Sequence, residues 1–79
     1  MINVRIALRG TLRNLLEGGE ITVSIPEGST CDDALNAAGI HREDIPSFGF
    51  VSVNGMRVMV TDTLSDGDLL KAFSRIGGG

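Results

Sequence analysis

The chain has 79 residues, 42% of them hydrophobic, with three Phe and no Trp or Tyr. One Cys and one His exclude an internal disulfide and a Cys/His zinc set, so the fold has to rest on packed aliphatic side chains. A net charge of −3, without a Lys/Arg cluster or stacking aromatics, argues against nucleic acid and leans toward a basic protein partner.

"INVRIAL", Ile2 to Leu8, alternates cleanly. Ile2, Val4, Ile6 and Leu8 share one face and Asn3, Arg5 and Ala7 the other, which is the pattern of a half-buried strand. "GTLRNLLEGG" changes period: Leu12, Leu15 and Leu16 have helical spacing, Thr11 is placed to cap, and Gly18-Gly19 ends the piece. A short helical turn is expected there, with a hairpin loop as the alternative. "EITVSIP" alternates again, with Ile21, Val23 and Ile25 inward, and Pro26 closes it.

"STCDDALNAAGI", Ser29 to Ile40, predicts the main helix. Ser29 or Thr30 caps it, and Asp32 and Asp33 meet the positive end of the helix dipole. Cys31, Ala34, Leu35 and Ala38 form the buried stripe, Gly39 is placed for the stop, and Ile40 for the contact beyond it. "HREDIPSFG" is a polar connection with room for one helical turn. "FVSVNGMRVMV" predicts a hairpin turning at Asn54-Gly55. That turn pairs Val53 with Met56, Val51 with Val58, Ser52 with Arg57 and Phe50 with Met59. "SDGD" is a turn, and "LLKAFSRI" is the last strand, with Leu70, Ala72 and Ile76 on its dry face.

Strands followed by one real helix and then more strands imply an α+β domain over residues 1–76: a mixed four- to five-stranded sheet covered on one face by one main helix. A glycine tail, 77–79, follows. Phe50, Met59 and Phe73 are predicted to gather on the uncovered face as a partner patch, with Arg75 and Ile76 beside the tail. Cys31 reads as a core residue rather than a nucleophile, and His41 as a solvated loop residue. Asp32/Asp33 and Asp66/Asp68 read as helix-start and turn chemistry rather than a metal site, so no metal is expected. No apolar run approaches the roughly 18 residues of a membrane span. The N-terminus lacks an export pattern, and the expected location is the cytoplasm.

The element order, the "VNG" hairpin, the "LSDGD" turn and a last strand running into Gly77, Gly78 and Gly79 resemble the ubiquitin-like β-grasp sulfur carriers. These are the small subunit of molybdopterin synthase and the thiamine-pathway sulfur carrier. "INVRIALRGTLRNLL" is more similar to the former; the absent proline pair before the tail and the third glycine depart from the usual pattern. The resemblance implies a carrier rather than an enzyme. An E1-like partner adenylates the Gly79 carboxylate with ATP, a sulfur donor replaces the adenylate to leave a thiocarboxylate, and a synthase accepts the sulfur for molybdenum-cofactor or thiamine (thiazole) biosynthesis. The chain itself binds no cofactor. Conjugation to other proteins through Gly79, as a ubiquitin-like modifier, uses the same tail. A non-covalent β-grasp binding module is the reading in which the glycines are incidental. A thin glycine stalk suits entry into an enclosed active site, because backbone without Cβ passes close to its walls. Extended, Ser74 to Gly79 reaches about 20 Å.

Overall fold

The computed structural model describes residues 1–75. The expected boundary after Ile76, and the tail residues Gly77, Gly78 and Gly79, lie outside the described residues. Strands β1 (Ile2–Arg9), β2 (Glu20–Ile25), β3 (Phe48–Val53), β4 (Met56–Val58) and β5 (Leu69–Ser74) form one sheet in the order β2-β1-β5-β3-β4. β1 and β5 run parallel at its centre and the other neighbours are antiparallel. This is the expected mixed sheet with one main helix, α1 (Cys31–Ala37), in a ubiquitin-like β-grasp.

The alternation of β1 does what it predicts. Val4, Ile6 and Leu8 are fully buried and pack with Cys31, Ala34 and Leu35 of α1 and with Val51, Leu70 and Ala72 of the neighbouring strands. Small side chains on the helix stripe let it lie close to the sheet. Thr30 caps α1 through a reciprocal box: its hydroxyl accepts from Asp33 N–H (3.1 Å) while Asp33 accepts from Thr30 N–H (3.0 Å). At the other end Ile40 N–H donates to Leu35 C=O (2.8 Å) and Gly39 N–H to Asn36 C=O (3.0 Å). That paired arrangement ends the helix and sends Ile40 into the core. The helix is therefore shorter than its amphipathic stripe, and Ala38 packs beside it only partly buried.

Four expectations need correction. Thr11 does not cap: it lies inside a 3₁₀ turn over Gly10–Leu15, whose preceding residue, Arg9, makes no side-chain cap. A second such turn, Glu17–Gly19, leads into β2. Ile21, expected inward, is exposed on the outer strand of the sheet. Leu15 is likewise exposed, and only Leu12 of that leucine group is fully buried.

The fourth correction concerns the hairpin. Val53–Met56, Ser52–Arg57 and Val51–Val58 pair as expected, but β4 stops at Val58 and the Phe50–Met59 pair does not form. The reason is a competing turn. Met59 N–H donates to the Asp62 carboxylate (2.9 Å) and Asp62 N–H to Met59 C=O (3.0 Å). The chain then offers Val60 C=O to Asp32 N–H and Asp62 C=O to Cys31 N–H, both at 3.0 Å. Those are free amides of the first turn of α1, which need partners. Ending β4 early satisfies them.

Candidate functional site

Covered by α1 on one side, the sheet leaves its other side open, and the registers lay out what stands there. Arg9, Phe73 and Phe50 stand in one row across β1, β5 and β3, with Phe73 between the other two. Glu20, Ala7, Lys71, Ser52 and Arg57 form the next row across all five strands. The Phe50 and Phe73 ring centroids are 4.7 Å apart, with planes 11° from parallel. That separation matches the spacing of adjacent strands, so the rings stand upright with their edges outward. The Arg57 guanidinium lies 4.6 Å from the Phe50 centroid. Because β4 and β5 flank β3 on opposite sides, Arg57 takes the ring face that Phe73 leaves free. Ala7 and Ser52, on either side of Lys71 in the next row, are buried.

Beyond Phe73 the end of β5 is clamped. Arg75 N–H donates to Ser47 C=O (2.7 Å), Arg75 Nη1 to Pro46 C=O (3.3 Å), and Thr11 N–H to the Ser74 hydroxyl (3.3 Å). The β3–β5 register shifts between Phe48 and Phe50. A Cβ on Gly49, within that irregularity, would lie 2.9 Å from each of Arg75 N, Phe73 O and Ser74 C. Only glycine lets β3 approach the end of β5 this closely. The chain is thus held as far as Arg75, and the last four residues in sequence are Ile76, Gly77, Gly78 and Gly79.

Of the predicted patch, Phe50 and Phe73 are brought into direct contact. Met59 is not in their row. It is 68% exposed, on the wall of a groove of about 310 Å3 that Phe50 and Arg57 also line, with Arg42, Ile45 and Val60. Arg75 is exposed at the clamp, and Ile76 lies outside the described residues. Sequence reasoning missed Arg9, Arg57, Lys71 and Gly49 as part of this region. The alternation of β1, β4 and β5 assigns the three cations to the wet face, but only the pairing of five strands shows them meeting around the Phe pair. Gly49 carries no local signal, because its constraint is a contact with the end of β5.

Other candidates take structural roles. Cys31 is fully buried, and that burial, with Asp62 nearby as a second cause, pushes its thiol up to about 11. A group so placed is a poor nucleophile at neutral pH. His41 is exposed, with Nδ1 3.0 Å from Asn36 Oδ1. Asp32 pairs with Arg42 (3.0 Å), Asp66 accepts from Asn3 N–H (2.7 Å), and Asp68 accepts from Ser65 N–H (2.7 Å) and from Asn54 Nδ2 (2.9 Å). Among the described residues no three His, Cys, Asp or Glu side chains gather as a metal site would need. Among the same residues, no helix is long and apolar enough to cross a membrane.

Residues 13–73 match the TGS domain family. No curated protein sequence matches the chain. Solved structures do. The chain is similar to small archaeal modifier protein 1 (SAMP1) of Haloferax volcanii at 24% identity and a TM-score of 0.78, covering 98% of this chain and 99% of that one. It is similar to a putative molybdopterin converting factor subunit 1 of Pyrococcus furiosus at 22% identity and a TM-score of 0.75, over 96% and 100% of the two chains. A third likeness is to a chain in the complex of subunits 1 and 2 of the molybdopterin-converting factor of Helicobacter pylori, at 14% identity and a TM-score of 0.64, over 99% and 100%. At these identities the likeness establishes the β-grasp fold.

Proposed function

The chain belongs to the TGS-domain family, and from that premise we propose that it is a sulfur carrier acting through the Gly79 carboxylate. One observation carries the reading. The central strand of a β-grasp sheet ends in a hydrogen-bonded clamp at Ser74 and Arg75, beside an aromatic pair, and the sequence beyond it is Ile-Gly-Gly-Gly. A clamped root with a slender extension suits a group that is presented to another protein's active site.

A carboxylate is a poor electrophile, so an E1-like partner, working with ATP, converts it to an acyl adenylate and releases pyrophosphate. A sulfide equivalent then attacks the acyl carbon and AMP leaves, so that the C–O bond to AMP breaks as the C–S bond forms. The terminal thiocarboxylate passes its sulfur to a synthase, for molybdopterin or thiazole assembly in the cytoplasm. The likeness to a molybdopterin converting factor subunit 1, and to a chain from a two-subunit complex of that factor, supports a synthase partner. This chain contributes the carboxylate and the docking surface; the partners contribute nucleotide binding and the stabilisation of developing charge. Phe50, Phe73 and Arg75, with Ile76 and the more distant Met59, are the proposed contacts. Likeness to SAMP1 favours a second reading on the same tail, conjugation to protein amines as a modifier.

The test is an intact-mass spectrum of the untagged protein, with a C-terminal fragment, after incubation with host extract, ATP and sulfide. Replacement of one terminal oxygen by sulfur on Gly79 is expected. An unchanged Gly79 beside a higher-mass conjugate would assign the modifier role. No change, in an extract that sulfurates a known carrier, would leave a non-covalent binding module.

A further inference from the structure

We infer that the open sheet face docks an acidic protein surface, setting a partner carboxylate on Arg57 and others on Lys71 and Arg9 while the partner covers the edges of Phe50 and Phe73. The inference deepens the carrier reading by naming the partner's chemistry, and it rests on that reading only for which protein the partner is.

Charge is the first ground. The five strands place four cations on this face, Arg5, Arg9, Arg57 and Lys71, against one carboxylate, Glu20. The face is thus positive on a chain whose net charge is −3. Glu20 is already committed, accepting from both Nε and Nη2 of Arg5 at 3.1 and 3.0 Å. Among the described residues the only other ion pair is Arg42–Asp32, so Arg9, Arg57 and Lys71 have no carboxylate partner there. Such a surplus is satisfied by a partner of opposite sign, which also steers encounter and sets orientation.

Geometry is the second ground. The Arg57 guanidinium is positioned over the Phe50 ring, 4.6 Å from its centroid, and a cation held there still has N–H groups to offer a carboxylate in a two-point contact. Nucleic acid is the competing polyanion, but a base needs an open ring face to stack on. Phe50 has none, being held between Phe73 and Arg57, which leaves one ring face of the pair, on Phe73, where successive bases would need several. The ring edges suit the aliphatic and aromatic contacts at the centre of a protein interface.

The experiment uses the 15N-labelled full chain and three probes of equal length: a peptide of Glu, Asp and Leu, its Lys/Leu counterpart, and oligo-dT. The acidic peptide should shift amides in 5–9, 50–52, 57 and 69–73, with affinity falling at least tenfold between 50 and 300 mM salt. The double variant Arg57→Glu/Lys71→Glu should abolish those shifts, and Arg57→Gln/Lys71→Gln should weaken binding while keeping the wild-type spectrum elsewhere. No shifts on this face, equal binding of the Lys/Leu peptide there, or tighter binding of oligo-dT would each overturn the inference. The same variants separate it from the carrier reading. Shifts on this face with Gly79 never sulfurated keep the docking surface and lose the carrier; sulfuration at wild-type rate in both variants keeps the carrier and loses the docking surface.

Discussion

On the helix side of the sheet, Val4, Ile6, Leu8, Val51, Leu70 and Ala72 are fully buried and close-packed under α1. Across the same strands, Phe50, Lys71 and Phe73 are half-buried, Arg57 is exposed, and their contacts are a ring stack and a cation over a ring. Backbone and hydrogen-bond ladder are common to both faces, so the difference lies in side chains alone. The covered face supplies the stability of a 79-residue domain that has no disulfide, and the open face is released from that duty. What stands there is free to be selected for contact with other molecules.

Substitution on each face tests that division. Leu35→Ala, at the centre of the covered side, should cost about 2–5 kcal/mol in urea unfolding, because it leaves a cavity among rigid neighbours. Phe73→Asp, though it removes a larger side chain, should cost less, on the order of 1 kcal/mol, through the lost ring pair. Equal costs would show that the open face is part of the core. The buried thiol probes the covered side with pH. Its folded pKa of about 11 lies above the ordinary 9.0, so the folded state keeps a proton that the unfolded state releases. The associated stability, about 2–3 kcal/mol, is complete below pH 9 and is lost as pH rises through 11. Unfolding midpoints at pH 8, 9.5 and 11 should therefore fall more steeply for wild type than for Cys31→Ala. Parallel falls would mean that Cys31 ionises as readily folded as unfolded.

Gly49 lies where β3 meets the end of β5, and Gly49→Ala should cost about 1–3 kcal/mol by pushing β3 off the end of β5. Amide exchange at Arg75, whose N–H is bound to Ser47, should quicken in the variant. Unchanged exchange would remove the clamp from the account of how the tail is presented.

Much of the covered face was legible in the sequence, because its rules are local. Alternation in Ile2 to Leu8 named the residues of β1 that face α1, though not the burial of Ala7 on the other face, Asn54-Gly55 placed the hairpin, with Asn54 at a φ of 52°, and Gly39 placed the helix stop. Failures came where distant segments compete. The end of β4 is decided by α1 amides some thirty positions earlier, which draw the 60–62 carbonyls away from the strand ladder. Gly49 is decided by the end of β5. Net charge was silent on this face for a related reason: an average of −3 hides a face of opposite sign, and strand order is needed to see which charges share it. The patch was half legible, since Phe50 and Phe73 meet while Met59, turned out of the strand ladder at the end of β4, reaches only the groove beside Phe50.

The smallest expected effect is the most pointed one. A double-mutant cycle on Phe50→Leu and Arg57→Ala should give a coupling of about 0.5–1 kcal/mol in thermal unfolding, the size of an exposed cation held over a ring. Arg57→Ala alone should change stability by no more than about 0.5–1 kcal/mol, because the side chain is exposed and makes no ion pair among the described residues. Zero coupling would mean that the guanidinium is not held, and that a partner meets a mobile charge instead of a prepared one. A measured coupling with near-neutral stability would show a residue ordered by its neighbour at little consequence to the fold. That combination separates an interaction surface from a core: the open face keeps its geometry while contributing almost nothing to holding the domain together.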